Sequence, residues 1–105
     1  MNRNIRKSKT LWIGKKAYLF LRREERKQRG CKPLTEKQEE SVWRKIKASP
    51  NFRNGQYQID DNSLGGGDGT YNGRWWAWSV DYIMKMLDEN GFNYRKGHIV
   101  EYIDL

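Results

Sequence analysis

The stretch Phe52–Ile59, FRNGQYQI, decides the fold class of this chain. Its central pair, Asn54-Gly55, is the strongest short signal for a β-hairpin, because both residues tolerate the positive φ angles of a tight turn. After the turn, Tyr57 and Ile59 alternate with two glutamines, which is typical of a strand with one buried face. The stretch therefore predicts a small antiparallel sheet.

Two helices are predicted before this hairpin. The segment Lys15–Arg29, KKAYLFLRREERKQR, favours a helix that ends at Gly30, a residue suited to the left-handed position after a helix. Thr35, followed by Gln38, is the signature of a capping box and opens a second helix. Pro50 stops that helix, since proline cannot continue it.

A glycine-rich loop, a third helix and a last strand are predicted after the hairpin. Loop 60–73 contains five glycines. Ser79 is the expected N-cap of a helix that ends at Gly91, because the apolar residues between them recur at helical spacing. His98–Ile103 is predicted to form the final strand.

These elements predict one small α+β domain over residues 10–105, with two to three helices packed on a small antiparallel sheet. The length of 105 residues suits a single domain. Residues 1–9, MNRNIRKSK, have no hydrophobic periodicity and are predicted to form a flexible basic arm. Leu11–Ile13 either begins a strand or docks that arm.

The composition predicts a cytoplasmic protein that does not span a membrane. No apolar run approaches the roughly 20 residues of a membrane helix, and no secretory signal is evident. Cys31 is the single cysteine, so no internal disulfide is expected, as is usual in a reducing compartment. Neither a metal nor a cofactor is predicted, and the oligomeric state leaves no mark in the sequence.

The net charge of +8 is concentrated at one end of the chain. Residues 1–30 contain eleven Lys and Arg but only two Glu, a net charge of +9, whereas residues 31–105 have a net charge of −1. Such asymmetry indicates contact with nucleic acid or another polyanion at the charged end. The sequence does not distinguish DNA from RNA.

The predicted contacts lie mainly in the first helix. Residues 22–29 are polar all round, which predicts that they project into solvent or lie against a partner. Lys and Arg neutralise phosphates and release counterions, and Arg adds bidentate hydrogen bonding. The predicted contact residues are Lys15, Lys16, Arg22, Arg23, Arg26, Lys27, Arg29, Arg74, Arg95 and Lys96.

The segment Arg74–Trp78, RWWAW, adds aromatic rings beside a cation. Rings of this kind can stack on single-stranded bases. Because neighbours on a strand point to opposite faces, at most one of Trp75 and Trp76 is expected to face outward as a stacking residue. The other tryptophans of the segment are expected in the core, in a chain poor in aliphatic residues.

A different class of function is a small inhibitor or adaptor that binds a nucleic-acid-processing protein. In size, in its single domain and in lacking an evident catalytic set, the chain resembles small accessory proteins of phages and mobile elements, including anti-defence inhibitors of the anti-CRISPR kind. The same basic surface or the aromatic segment would then contact the protein partner.

Catalysis is a further alternative. The stretch Met84–Tyr102, with Gly91-Phe92 and Gly97-His98, is similar to the HicA-type toxin ribonucleases. The resemblance implies that His98 acts as the acid/base of RNA cleavage. That family usually has a serine between the glycine and the histidine, and this chain has none. Binding without catalysis is therefore the leading hypothesis.

The loop segment Gly66–Thr70 resembles the GGDGT signature of the NAD kinase and diacylglycerol kinase families. In those families the glycines let the backbone approach nucleotide phosphates. The signature there follows a strand of a much larger α/β domain, which a chain of 105 residues with this pattern does not contain. The resemblance therefore leaves the expectation of no cofactor unchanged.

Overall fold

The computed structural model describes the backbone of residues 4–60 and 78–104. In chain order the elements are β1 (Asn4–Ser8), β2 (Thr10–Ile13), α1 (Lys15–Gln28), α2 (Glu36–Lys47), β3 (Phe52–Arg53), β4 (Gln56–Asp60), α3 (Val80–Glu89), β5 (Tyr94–Lys96) and β6 (Val100–Asp104). β3, β4, β2 and β5 form a four-stranded antiparallel sheet in that order, and β1 pairs with β6. The prediction of a small α+β domain is confirmed, with three helices in the described part of the chain.

The predicted helix ends are confirmed where local signals fix them. Thr35 Oγ1 accepts from the Gln38 backbone N–H at 3.2 Å, and Gln38 Oε1 accepts from the Thr35 backbone N–H at 2.9 Å. Ser79 caps α3 through its side chain. Gly30 and Gly91 follow their helices with φ angles of 73° and 75°, a region that disfavours other residues. None of the helices in the described ranges is long and apolar enough to cross a membrane.

The predicted hairpin is also confirmed. Asn54 and Gly55 have φ angles of 53° and 77°, as the tight turn between β3 and β4 requires. The pairing aligns Phe52 with Tyr57 across the two strands. This register decides which side chains of the hairpin face the core.

One hydrophobic core lies between the sheet and the helices. On the sheet, Leu11 and Ile13 of β2 and Tyr57 and Ile59 of β4 are at most 1% exposed. The helices contribute Ala17, Tyr18, Leu19, Leu21, Trp43, Ile46, Val80, Ile83 and Leu87 to the same cluster. Since side chains alternate along a strand, α1, α2 and α3 all cover one face of the sheet.

A β-bulge joins the two sheets. Two residues, Lys9 and Thr10, separate the paired positions Ser8 and Leu11, whereas three residues, Gly97–Ile99, separate their partners Lys96 and Val100. The segment from β5 to β6 therefore has one extra residue. The Gly97 backbone N–H donates to the Thr10 carbonyl at 3.0 Å, and Thr10 Oγ1 donates to the His98 carbonyl. A Cβ at position 97 would collide with Thr10 Oγ1, so the bulge requires glycine.

The expectation of a flexible arm at residues 1–9 is wrong over Asn4–Ser8. The backbone of these residues pairs with β6, from Asn4 opposite Asp104 to Ser8 opposite Val100. The stabilising partner is distant in the chain, so local periodicity gave no sign of it. The last strand likewise begins at Val100 because the preceding residues form the bulge.

Candidate nucleic-acid interface

Acidic side chains of α2 pair with predicted contact residues of α1. Arg23 donates two hydrogen bonds to Glu39, and Lys15 Nζ lies 2.6 Å from Glu40 Oε1. The hydrogen bond with Glu39 raises the pKa of Arg23, and the hydrogen bond with Lys15 lowers the pKa of Glu40. These two cations therefore already have anionic partners within the fold.

Arg22 and Glu25 correct the prediction that residues 22–29 project into solvent or lie against a partner. Arg22 is 4% exposed, with its guanidinium carbon 6.0 Å from the centroid of the Tyr18 ring. Glu25 is 1% exposed and forms an ion pair with Arg29. Burial removes Arg22 from the predicted contact surface, because a phosphate cannot reach its guanidinium in this fold.

Arg26 stabilises the turn that follows α1. Its guanidinium donates to the Lys32 carbonyl at 2.9 and 2.7 Å, which fixes the chain that leaves the helix. Among the predicted contact residues of α1, Lys16 and Lys27 are exposed and have no ion pair in the part of the chain that the structure describes. They lie on one side of the helix about three turns apart, with Arg23 between them.

The face of the four-stranded sheet opposite the core has a different composition. Trp12 of β2 lies directly across from Gln58 of β4 on one side and from Arg95 of β5 on the other. On β3, Arg53 lies across from Gln56. These five side chains alternate with the core residues of their strands and thus share one face. We call Arg53, Gln56, Gln58, Trp12 and Arg95 the outer sheet face.

Charge and aromatic character coincide on the outer sheet face. The guanidinium carbon of Arg95 lies 5.4 Å from the centroid of the Trp12 ring, within the range of a cation–π contact. Arg53 and Arg95 are exposed, whereas Trp12 and the two glutamines are half-buried. A guanidinium stacked on a ring keeps its N–H donors in its own plane, where they can bind phosphate. Lys96, also predicted, is exposed, but it is paired with Leu11 and therefore points to the opposite side of the sheet from Arg95.

A second group of cations was missed at the sequence level. Residues 41–59 contain no acidic residue, and their four cations are exposed: Arg44, Lys45, Lys47 and Arg53. The net charge of residues 31–105 is −1 because acidic residues elsewhere in the segment offset these cations, so the sum hides this stretch. A sliding charge count would have revealed it.

His98 lies in the bulge with its side chain exposed. Its backbone carbonyl accepts from Thr10, and no hydrogen bond joins its imidazole to another titratable side chain in residues 9–59 and 78–99. General acid/base catalysis requires a group placed against the substrate, and a positioned partner would support that role. The ribonuclease hypothesis stays a prediction.

Several predicted residues lie outside the described ranges: Arg74, Trp75, Trp76 and the segment Gly66–Thr70. In the part of the chain whose side chains are described, no group of three His, Cys, Asp or Glu is placed to hold a metal ion. Compared with known proteins, the chain matches no family model, no curated protein sequence and no solved structure.

Proposed function

We propose that this chain is a small accessory protein that binds nucleic acid through its outer sheet face and performs no catalysis. The observation that supports this most directly is the row of Gln58, Trp12 and Arg95 across three adjacent strands. An aromatic ring, an amide and a stacked cation occupy neighbouring positions on the face that the three helices leave uncovered.

The chemistry of this face suits both parts of a nucleotide. Arg53 and Arg95 are exposed guanidinium groups, which form bidentate hydrogen bonds with phosphate. The Trp12 ring is the kind of surface on which bases stack. The net charge of +8 adds a long-range attraction that speeds encounter with a polyanion.

The proposal shifts the emphasis away from α1. Partners within the fold engage most of its predicted contact residues, so Lys16 and Lys27 contribute mainly to the general positive field. The exposed cations at the end of α2 extend that field toward Arg53. The single cysteine, Cys31, supports the reducing cytoplasm as the place where binding occurs.

A salt titration tests the proposal. Binding of labelled DNA and RNA oligonucleotides is measured by fluorescence anisotropy between low and physiological salt. We expect affinity to fall steeply with salt, and each of Arg53→Ala and Arg95→Ala to reduce the log–log slope by about 0.7–0.9. Lys85→Ala is the matched control: it removes one exposed cation from α3, on the core-facing side of the sheet.

Two outcomes would contradict the proposal. One is the absence of binding to any oligonucleotide at low salt. The other is an equal loss of affinity in Lys85→Ala and in Arg95→Ala, since binding would then follow net charge rather than this face. A stoichiometric protein partner without oligonucleotide binding would instead favour the inhibitor or adaptor hypothesis.

A further inference from the structure

We infer that the outer sheet face takes single-stranded nucleic acid, with a base stacked at Trp12. The inference rests on the proposed function and specifies its ligand. The supporting observation is the position of Trp12 on the central strand of the row, between the amide of Gln58 on β4 and the guanidinium of Arg95 on β5.

The dimensions of the face argue against a groove of duplex DNA. Four strands span three intervals of about 4.8 Å, so the backbones of β3 and β5 lie roughly 14 Å apart. The major groove is about 12 Å wide and admits a helix or a two-stranded ribbon. A four-stranded sheet approached by its face does not enter it, whereas a single strand can lie across the sheet.

The Trp12 indole is contacted on one face and at one edge. Arg95 lies over one face of its ring, and a Cβ at position 97 would come within 3.2 Å of the indole nitrogen, so the glycine of the bulge lies close to that edge of the ring. A ring fixed in this way loses little conformational entropy when a base stacks against it. In a duplex the faces of internal bases are already stacked on each other, so such a ring selects unpaired bases.

The two glutamines supply hydrogen bonds for base edges. An amide offers both donors and acceptors, which match the Watson–Crick edge of an unpaired base. The amide nitrogen of Gln58 is shielded from solvent and has no hydrogen-bond partner in the described part of the chain. A rotation of this side chain toward a base would satisfy a donor that is otherwise unused.

Arg53 and Arg95 lie at opposite edges of the sheet, with Trp12 and the glutamines between them. Two phosphates of one strand can therefore be bound at the edges while the intervening bases contact the middle of the sheet. This arrangement fits a short stretch of a few nucleotides that crosses the strands. It gives affinity from both charge and stacking.

The test compares Trp12→Ala, Trp12→Phe and the native chain on matched single-stranded and duplex oligonucleotides. For single strands we expect Trp12→Ala to weaken binding roughly 5- to 150-fold, the range of one stacked base, and Trp12→Phe to retain most of the affinity. Tyr82→Ala is the matched control, because Tyr82 is an aromatic side chain 42% exposed on α3, away from the face. Circular dichroism checks that each variant is folded.

A spectroscopic measurement keeps the test decisive if Trp12→Ala does not fold. Stacking of a base on Trp12 should quench tryptophan emission when single strands bind, and Trp12→Phe should lose that component of the quenching. Retention of the full quenching in Trp12→Phe would overturn the inference.

Failure of the inference can be told from failure of the proposed function. Duplexes bound as tightly as single strands, or an unchanged affinity in Trp12→Ala while Arg95→Ala binds weakly, would overturn the single-strand inference and keep nucleic-acid binding. No binding to any oligonucleotide would overturn both.

Discussion

Arg23 of α1 and Glu39 of α2 are joined by two parallel hydrogen bonds, from Nε to Oε2 at 2.9 Å and from Nη2 to Oε1 at 2.8 Å. The Glu39 side chain is only 10% exposed, whereas that of Arg23 is 57% exposed. The guanidinium thus compensates a carboxylate that has lost most of its water. This pair ties the first two helices together and takes a cation away from the surface available to ligands.

Replacement of Arg23 should lower stability more than its exposure suggests. Arg23→Lys keeps the charge but loses the planar fork, and Arg23→Ala leaves a largely buried carboxylate without this partner. We expect Arg23→Ala to cost about 1–2 kcal/mol in urea unfolding, with Arg23→Lys in between. Lys27→Ala, an exposed cation of the same helix, should stay within about 0.5 kcal/mol of the native value. Equal stability of Arg23→Lys and the native chain would show that the fork geometry contributes nothing.

The bulge should not tolerate a side chain at Gly97. Gly97→Ala places a methyl group against Thr10 Oγ1, and we expect a loss of about 1–3 kcal/mol in thermal or urea unfolding. Removal of the hydroxyl in the double variant Thr10→Ala/Gly97→Ala should recover part of that loss. Gly14→Ser is the control: a Cβ there meets nothing within 4 Å, and serine is a good N-cap for α1. A native-like Gly97→Ala variant would contradict the described geometry.

Substitutions of Thr35 should reveal how much the capping box of α2 contributes to the free energy of unfolding. Thr35→Ala removes the acceptor for the Gln38 backbone N–H and should destabilise the fold by about 1 kcal/mol. Thr35→Ser retains the hydroxyl and should remain close to the native stability. If both variants unfold together, the methyl group of Thr35 matters rather than its hydrogen bond.

The Lys15–Glu40 pair should make stability depend on pH in the acidic range. Lys15 lowers the pKa of Glu40 below its ordinary value of 4.5. A group whose pKa is lowered by folding stabilises the fold above that ordinary value and loses the contribution as pH falls through the folded-state pKa. The difference in melting temperature between the native chain and Glu40→Gln should therefore be present near neutral pH and shrink as the pH is lowered past 4.5.

A Lys15→Gln background is the control for this pH dependence. In a Lys15→Gln background the hydrogen bond that shifts Glu40 is gone, so Glu40→Gln should change the melting temperature much less at neutral pH. High salt should reduce the native difference as well, because both side chains are exposed. A difference that persists at low pH would mean that Glu40 acts through packing instead.

Signals contained in a few consecutive residues predicted structure well. Thr35 with Gln38 fixed a helix start, and Asn54-Gly55 fixed a turn, because each of these depends on local backbone geometry. β1 and the bulge at Gly97 escaped prediction because they depend on pairing between distant parts of the chain. No local pattern in residues 1–9 reports that pairing.

Charge predicted the candidate site only in part. Arg95 was named from the sequence, but its partner Trp12 belongs to another strand, and only the register of the sheet brings them together. Arg22 is assigned to the surface from the sequence because residues 22–29 are polar all round. Its long aliphatic stem and its contact with Tyr18 let it lie inside the fold instead.

The position of β2 has a consequence for how the protein folds. It is the first strand of the four-stranded sheet along the chain, yet it lies at the centre of that sheet, between β4 and β5. The helices and the β3–β4 hairpin can form from neighbouring residues. In contrast, β2 can pair with β5 only after β5 has been synthesised, much later in the chain. Such non-local closure is slow, and until β5 arrives one edge of β2 stays open to pairing with other chains. Premature termination before β5 should therefore yield an aggregating chain rather than a smaller stable domain.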